Sequence, residues 1–459
     1  MSIDYKREDY LKAYDVWQKI EHVIKQEELK QYLLTLNAFD TSDQNKCLNE
    51  NYKKRAVFYP LTAFTVEGMV GSVFRKTPTL NVPPSMEYVT NNVDGAGNSI
   101  YQQSQAVFAE VIAKGRAGLV VSYPPVEGEQ SQADIVAGRN VPTISYVDPE
   151  QVINWRTETI GSKTFLSLVV IAEDREQVAE DGYTVECISV RRELLLDNGV
   201  YVERIWYPTD EKDEWVIEDE FIPRKANGST WSSIPFTFVG SENNDWFIDN
   251  PPMKAMANLN IAHYRNSADY EESVFLCGQA QAYIDSQEIS QDMIDNLEKN
   301  NFYIGSRALA PFKLGFAQAD PNPLVRQAMV DKVEQMASIG ARMVQPGSAS
   351  KTATQSRGEQ EVQHSTISLV AANVSEAYTM CLQWMGEYAN VTHDFEYSLN
   401  VDLLTDNVDA NKLKVMGEFT RLGLLPKADW IRYMKKEGLF EEDKTVEDYL
   451  DELDVTETV

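Results

Sequence analysis

The chain has 459 residues, of which 43% are hydrophobic and 25% charged, and its formal net charge is −29 because 71 acidic residues outnumber 42 basic ones. This composition fits a globular protein of more than one domain and excludes a disordered chain or a fibre. It also excludes a protein that grips nucleic acid over most of its surface, since phosphate neutralisation needs clustered lysine and arginine. Two interpretations of the charge stay open: an ordinary soluble acidic protein, or a surface along which DNA slides without sticking.

The first residues, Met-Ser-Ile-Asp-Tyr-Lys-Arg, contain no apolar signal segment, and no apolar run approaches the length of a membrane span. We therefore expect a protein that is made and kept in a cytoplasm. The four cysteines lie far apart in the sequence and form no C-x-x-C pair, which favours a reducing compartment.

The first part of the chain is predicted to be mainly helical. Apolar residues at spacings of three and four predict helices over residues 8–35, 52–74 and 99–116. Pro60 is expected to start or kink the second helix, and Gly115 to end the third. The apolar run that follows, residues 119–123, predicts a strand.

Residues 141–240 change character to short β-rich runs separated by turns. Strands are predicted at residues 143–147, 152–155, 165–171, 183–190, 201–207 and 236–239. The sequence Asp197-Asn198-Gly199 predicts a hairpin turn, because Asn-Gly tolerates positive φ. Acidic residues are frequent here, so we expect one antiparallel, partly open sheet with a polar outer face.

Two long helices separated by a small insert are predicted next. The first covers residues 251–278, with Asp249 or Asn250 as its N-cap, Pro251 and Pro252 in its first turn, and Gly278 at its end. A helix of this length that is polar along much of its surface usually packs against copies of itself or another chain. The second long helix covers residues 320–345 with Asp320 as its N-cap. Within the insert, strands are predicted at residues 282–285, 301–304 and 307–314, and a short helix at residues 287–299.

A stretch of small polar residues, 348–356, predicts a mobile loop before a third long helix over residues 357–390. Lys351 and Arg357 flank this loop. They are interpreted either as solvated cations or as groups that touch a phosphate backbone weakly and reversibly. The remaining residues predict a strand at 395–403, two helices within 408–440 that are split by residues 423–426, and an acidic tail that is disordered or loosely helical.

No motif for catalysis, cofactor binding or metal binding is recognised. Residues 347–352 resemble a P-loop, but serine precedes Lys351 where glycine is required. Residues 95–100 begin like a dinucleotide turn and lack its third glycine. The histidines have no metal partner one helical turn away, and no G-x-S-x-G sequence occurs. We therefore predict no catalytic residue, cofactor or metal, and interpret His263 and His364 as packing or interface residues.

The order of these predicted parts resembles the portal protein of tailed bacteriophages, the connector between head and tail. Local sequence resembles one portal family, long described as a domain of unknown function. The resembling segments are Ile-Pro-Phe at 234–236, Pro-Pro at 251–252, Leu-Asn at 259–260, His-Tyr-Arg-Asn-Ser-Ala-Asp-Tyr at 263–270, Val-Glu-Gly-Met-Val-Gly-Ser-Val-Phe-Arg-Lys-Thr-Pro at 66–78, and Val-Asp-Pro-Glu-Gln-Val-Ile-Asn-Trp-Arg at 147–156. They occur in the family's order over most of the chain. The insert and the acidic tail depart from it.

The resemblance implies an α+β portal fold with named parts. These are a wing of helices and antiparallel sheet (1–250), a stem helix (251–278), a small α/β clip (279–319), a second stem helix (320–345), a tunnel loop (346–356), a long wing helix with a strand (357–403), and a helical crown with the acidic tail (404–459). It implies tunnel-loop residues near DNA, namely Ser348, Ser350, Lys351, Thr352, Thr354, Gln355 and Arg357. It implies stem or subunit contacts at Tyr264, Arg265, Asp269 and Tyr270.

The implied function is a homo-oligomeric ring, usually of twelve copies, at one vertex of the virion capsid, assembled in the bacterial host cytoplasm. Its implied partners are the large terminase, head–tail adaptor and tail proteins, the major capsid and scaffolding proteins, and double-stranded DNA that passes through the ring without sequence specificity. The ring itself performs no catalysis and uses no cofactor. The alternatives are another phage assembly protein, such as an adaptor or scaffold, and a DNA-processing enzyme.

Overall fold

The computed structural model describes residues 3–123, 141–179, 181–209, 214–278, 281–285, 313–317, 323–344 and 353–400, with shorter pieces between 416 and 450. The side chains of residues 281–285, 313–317, 340–344 and 353–365 are not part of that description. The chain divides into two compact units, Met1–Val401 and Asp402–Val459. The first is an α+β unit with antiparallel sheets. In the second, a helix over Lys427–Lys436 contains an ion pair of 2.9 Å between Asp429 and Arg432.

The helices of the first unit are α1 (Glu8–Lys25), α2 (Asp43–Arg55), α3 (Leu61–Val73), α4 (Ile100–Lys114), α5 (Lys254–Cys277), α6 (Pro323–Val344) and α7 (Ala353–Ala389). Its strands are β1 (Thr79–Asn81), β2 (Arg116–Ser122), β3 (Thr143–Val147), β4 (Val152–Ile160), β5 (Lys163–Val178), β6 (Val185–Asp197), β7 (Val200–Pro208), β8 (Trp215–Phe221), β9 (Phe236–Gly240), β10 (Gln281–Asp285), β11 (Lys313–Ala317) and β12 (Glu396–Ser398). Short 3₁₀ helices occur at Leu29–Tyr32 and Pro84–Thr90. In the part of the chain that is described, no helix combines the length and apolar character needed to cross a membrane.

The predicted N-terminal helices are corrected at two places. The helix predicted over residues 8–35 ends at Lys25, because Gln26 and Glu28 adopt left-handed backbone conformations with φ of 60° and 48°. The helix predicted over 52–74 is two helices, since α2 ends at Arg55 and α3 begins directly after Pro60.

The third predicted helix is confirmed as α4. Ser99 and Gln102 form a capping box at its start, in which each side chain accepts a hydrogen bond from the other residue's backbone amide. Gly115 ends the helix with φ of 80°, the left-handed conformation that favours glycine.

The β-rich region forms two sheets rather than the single sheet that is predicted. Strands β4 to β8 make a five-stranded antiparallel sheet in sequence order. Strands β3 and β9 lie instead on either side of β2, in a separate three-stranded sheet. This arrangement follows because β2, which precedes the β-rich region in sequence, offers two unpaired edges to the later strands. The predicted hairpin turn joins β6 to β7, with positive φ at Asn198 and Gly199.

The two edges of the five-stranded sheet differ. The chain start covers part of edge strand β4, because the Arg7 amide donates to the Ile153 carbonyl at 3.0 Å. The opposite edge strand, β8, is mostly exposed on both faces and contains Glu218, Asp219 and Glu220. Because β8 pairs with β7, its strand conformation continues through these acidic residues.

Helices α5, α6 and α7 have 24, 22 and 37 residues. The chain leaves α5 into β10 and returns through β11, the antiparallel partner of β10, into α6. Helices α5 and α6 pack against each other, and α7 packs on α4, β2 and β9. Within this packing, Tyr378 of α7 donates to Gln103 of α4 at 3.1 Å.

Three predictions for these helices are wrong in detail. Asp249 does not cap α5, since its carboxylate accepts a hydrogen bond of 2.7 Å from the Glu242 amide. The first helical residue is Lys254, after a turn at Pro252 and Met253. Helix α7 begins at Ala353, so residues 353–356 are helical rather than loop. Those four residues include neither glycine nor proline, so nothing in them interrupts a helix.

Several other predicted features lie outside the described residues. These are the helix at 287–299, the strand at 301–304 and most of the strand at 307–314, the N-cap Asp320, loop residues 346–352, the C-terminal part of the strand at 395–403, and the acidic tail beyond 450.

Candidate functional site

The buried N-terminal half of α5 is anchored to the segment that joins α2 to α3. Asn260 is fully buried. Its side-chain oxygen accepts hydrogen bonds from the amide and the hydroxyl of Thr62, at 3.1 and 2.9 Å, and its amide nitrogen donates to the Tyr59 carbonyl at 2.8 Å. One side chain thus satisfies three polar groups at the start of α3, which fixes α3 against α5.

Polar contacts continue along α5 toward α2. The Tyr52 hydroxyl donates to the Asp269 carboxylate at 2.6 Å, and Arg55 forms an ion pair with Glu272. Burial, together with the hydrogen bond to Asp269, raises the pKa of Tyr52, so the phenol keeps its proton and acts as the donor. These two contacts hold the middle of α5 against α2.

The four residues that the resemblance assigns to stem or subunit contacts lie on this same part of α5. Tyr264 is buried edge-to-face against Phe58 at 5.4 Å between ring centroids. Arg265 donates to the Tyr32 carbonyl at 2.8 Å, and Tyr270 is half-buried. Tyr264, Arg265 and Asp269 therefore contact residues of the same chain; a role between subunits stays a prediction.

His263 lies where α5 faces α6. It is buried, and its Nδ1 has no hydrogen-bond partner among the residues described. Burial lowers its pKa, and the positive charge of Lys332 on α6 lowers it further. The ring is therefore neutral at pH 7 and acts as a packing group, as the sequence predicts.

The outer ends of α5 and α6 expose apolar side chains. At the C-terminal end of α5, Val274, Phe275 and Leu276 are exposed, and near the start of α6 Leu324 is 74% exposed. Exposed apolar side chains on neighbouring helix ends are typical of a surface that contacts another protein.

The structure describes only some of the residues that are predicted to lie near DNA. Ser348, Ser350, Lys351 and Thr352 lie outside the described residues. Thr354, Gln355 and Arg357 belong to the first turns of α7, as far as the backbone describes them. Their proximity to DNA stays a prediction.

A buried charge cluster that the sequence does not predict joins α1, α4 and the turn before β4. The Lys114 ammonium lies 2.7 Å from carboxylate oxygens of Glu21 and Glu110 and 2.6 Å from one of Glu150. Burial raises the pKa of Glu110 to about 7. Burial alone would raise the pKa of Glu21 as well, but hydrogen bonds from Lys114 and Lys25 lower it to about 2. The Glu110–Lys114 spacing of four residues is the one local signal of this cluster.

No group of three histidine, cysteine, aspartate or glutamate residues is placed to hold a metal ion within the described ranges. Among the described residues, the polar contacts around α5 therefore connect helices and do not form a metal site.

Comparison with known proteins gives one family match. The family described as "Domain of unknown function (DUF4055)" matches residues 252–389. The match begins just before α5 and ends at the last residue of α7. A search of curated proteins gave no significant match.

Two similar solved structures are described as the neck of a native GTA particle with C12 symmetry and the neck of an empty GTA particle with C6 symmetry. Both have a TM-score of 0.39 and 12% sequence identity. The first comparison covers 80% of this chain and 86% of that chain, and the second covers 83% and 90%.

Proposed function

We propose that this protein is a portal protein, which assembles as a ring of about twelve copies at one vertex of a phage-like capsid and conducts double-stranded DNA. The supporting observation is the order of α5, the antiparallel pair of β10 and β11, α6 and the 37-residue α7. This order corresponds to the stem, clip, stem and wing helix that the sequence resemblance implies. The same resemblance places the ring in the virion, at the junction of head and tail.

The charge of the chain supports a conduit rather than a DNA-binding protein. Each copy carries a formal charge of −29, so a ring of copies repels the phosphate backbone over most of its surface. DNA driven through such a ring meets few attractive contacts that would hold it.

The exposed apolar ends of α5 and α6 support assembly. A closed ring requires two different surfaces of one chain to contact each other. Val274, Phe275 and Leu276 offer apolar surface for such a contact, or for a protein that docks at the same end of the helices. The partners proposed for that end are the large terminase during packaging, and head–tail adaptor and tail proteins afterwards. Major capsid and scaffolding proteins are proposed around the outside of the ring.

The decisive experiment is a mass measurement of the purified full-length chain, combined with negative-stain images. Twelve copies of a 52.0 kDa chain give a particle of roughly 0.6 MDa, and its images should show a ring with a central hole. Compact single particles without a pore, at any protein concentration, would overturn the proposal. ATP hydrolysis or DNA cleavage by the pure chain would favour an enzyme instead.

The tunnel-loop proposal needs a separate test. Deletion of residues 348–352, which spares the first turn of α7, should leave the ring intact and impair DNA packaging or retention, because these residues are proposed to contact the moving DNA. DNA-filled heads in normal yield from the deletion variant would exclude that role.

A further inference from the structure

A cavity of about 520 Å³ lies in the α+β unit, away from the α5 contacts described above. Its walls are the first turns of α1, Trp155 of β4 and the segment that leads into α5. Apolar surface comes from Ala13, Val16 and Phe247, and Phe247 is 64% exposed at the rim. Its volume falls in the range of small-ligand sites.

The charges that line the cavity leave two lysines without an ion pair. Arg7 is paired with Asp9 at 3.1 Å. Asp249 is buried, and its carboxylate accepts hydrogen bonds from the Glu242 amide at 2.7 Å and the Ser241 hydroxyl at 3.4 Å. Lys12 and Lys254 are exposed, and neither forms an ion pair within the described part of the chain. The cavity thus attracts anions, although the chain as a whole carries −29.

The N-terminus of α5 adds partial positive charge at the same place. Lys254 is its first residue, no side chain caps the helix start, and its first turn contains no acidic residue. The Lys254 amide donates to the Pro251 carbonyl at 3.1 Å, and the partial positive charge of the helix start still favours a bound anion.

An independent feature of the wall also requires an acceptor. Trp155 lines the cavity, is only 3% exposed, and its indole N–H has no hydrogen-bond acceptor among the described residues. The indole is held in place by the guanidinium groups of Arg7 and Arg116, which lie 4.7 and 4.4 Å from its ring centroid. A buried donor without an acceptor is costly unless a ligand or water supplies one.

We propose that this cavity binds the carboxylate of a peptide segment from a partner protein, with an apolar side chain next to that carboxylate. The carboxylate would lie between Lys12, Lys254 and the Trp155 indole, and the apolar side chain would pack against Val16 and Phe247. A DNA backbone fits less well, because regularly spaced phosphates need an extended basic track and only a local positive site is present. The proposal does not depend on ring formation.

The first experiment is calorimetric titration of the full-length protein with N-acetyl-Phe-Asp-amide and, as the neutral counterpart, N-acetyl-Phe-Asn-amide. The aspartyl peptide should bind at concentrations up to about 1 mM, and the asparaginyl peptide at least about tenfold more weakly. Equal binding of the two peptides, or no binding of the aspartyl peptide, overturns the proposal. Glutarate or inorganic phosphate that binds as tightly as the aspartyl peptide would show a site for free anions instead, and would also overturn it.

The second experiment compares variants with a matched control on the same helix. Lys12→Gln and Lys254→Gln should each weaken binding of the aspartyl peptide about threefold, which is the effect of one exposed charge. Lys19→Gln removes the same charge from α1 outside the cavity and should leave binding unchanged. Equal effects of Lys12→Gln and Lys19→Gln would indicate only general electrostatic attraction and would contradict the proposal.

The indole N–H is tested by Trp155→Phe, which keeps an aromatic ring and removes the donor. Binding should weaken severalfold while the circular dichroism spectrum stays that of the parent protein. Unchanged affinity in a folded Trp155→Phe protein would overturn the assigned position of the carboxylate. If that variant does not fold, the two lysine variants still test the proposed binding site, because they change only exposed residues.

Discussion

The hydroxyl group of Tyr52 and the carboxylate of Asp269 lie 2.6 Å apart, although 217 positions separate them in the sequence. This hydrogen bond joins α2 to α5, and the neighbouring pair of Arg55 and Glu272 repeats the connection one turn further along both helices. The first long helix is therefore held by polar contacts at specific positions as well as by apolar packing.

A double-mutant cycle measures this connection. Tyr52→Phe and Asp269→Ala should each destabilise the protein, and the double variant should be more stable than the sum predicts, with a coupling energy of about 1 kcal/mol. The measurement is the midpoint of urea unfolding for the four proteins. Strictly additive effects would show that the hydrogen bond contributes nothing to stability.

Asn260 should be far more sensitive than its neighbour Asn258. Asn260→Ala leaves the amide and hydroxyl of Thr62 and the Tyr59 carbonyl without a partner, and should cost about 2–4 kcal/mol of stability. Asn258 is exposed on the same helix, so Asn258→Ala should cost less than about 0.5 kcal/mol. Thermal unfolding of both variants tests the difference, and similar losses would contradict the anchoring role of Asn260.

Removal of the cation from the buried cluster should be severe. Lys114→Met leaves the carboxylates of Glu21, Glu110 and Glu150 close together without a counter-charge, and should cost about 3–5 kcal/mol. Lys25 pairs with Glu21 at the exposed surface, so Lys25→Met is the matched control and should cost less than about 1 kcal/mol. A folded Lys114→Met protein with an unchanged melting temperature would exclude a structural role for the cluster.

The same cluster predicts a pH dependence. The folded-state pKa of Glu110 is about 7, above its ordinary value of 4.5, so the folded protein holds this proton more tightly than the unfolded chain. Its contribution to stability is full below pH 4.5 and is lost as the pH rises to 7, a change of about 3 kcal/mol at most. Glu110→Gln should therefore show a smaller fall in melting temperature between pH 5 and pH 8 than the parent. Parallel pH profiles of the two proteins would refute the assignment.

Two glycines should respond to alanine in opposite directions. A Cβ atom at Gly240 would lie 2.1 Å from the Asn243 carbonyl oxygen, so Gly240→Ala forces the backbone to shift and should cost about 1–3 kcal/mol. Gly71 lies in α3 with open space around it, and Gly71→Ala should stabilise the protein by about 0.5–1 kcal/mol. Comparison of the two melting temperatures checks both signs, and a Gly240→Ala protein as stable as its parent would contradict the close contact.

Residues near the ends of a helix or strand can be enough to predict that element from the sequence. The spacing of apolar residues and the position of Gly115 predict α4, and the structure adds a capping box of Ser99 and Gln102 at its start. Strand β8 is not predicted, because the acids at 218–220 follow only a short apolar start and the strand depends on pairing with β7. The loop predicted through residue 356 fails in its second half, since small polar residues without glycine or proline also permit a helix.

The candidate site is predictable only in part, for a related reason. The sequence at 263–270 identifies the relevant stretch of α5, but nothing local indicates that Tyr52 is the partner of Asp269. With 71 acidic residues in the chain, the three carboxylates around Lys114 cannot be chosen from sequence alone. Partners across the fold are set by tertiary packing, which leaves no fixed spacing in the sequence.

The exposed edge strand β8 affects how the protein behaves at high concentration. An open edge of backbone amides and carbonyls can pair with the same edge of a second molecule. In β8, Glu218, Asp219 and Glu220 would bring like charges close together in such a pairing, so association through this edge is disfavoured. The acidic residues of this strand thus oppose edge-to-edge aggregation and leave the molecule able to associate through its other surfaces.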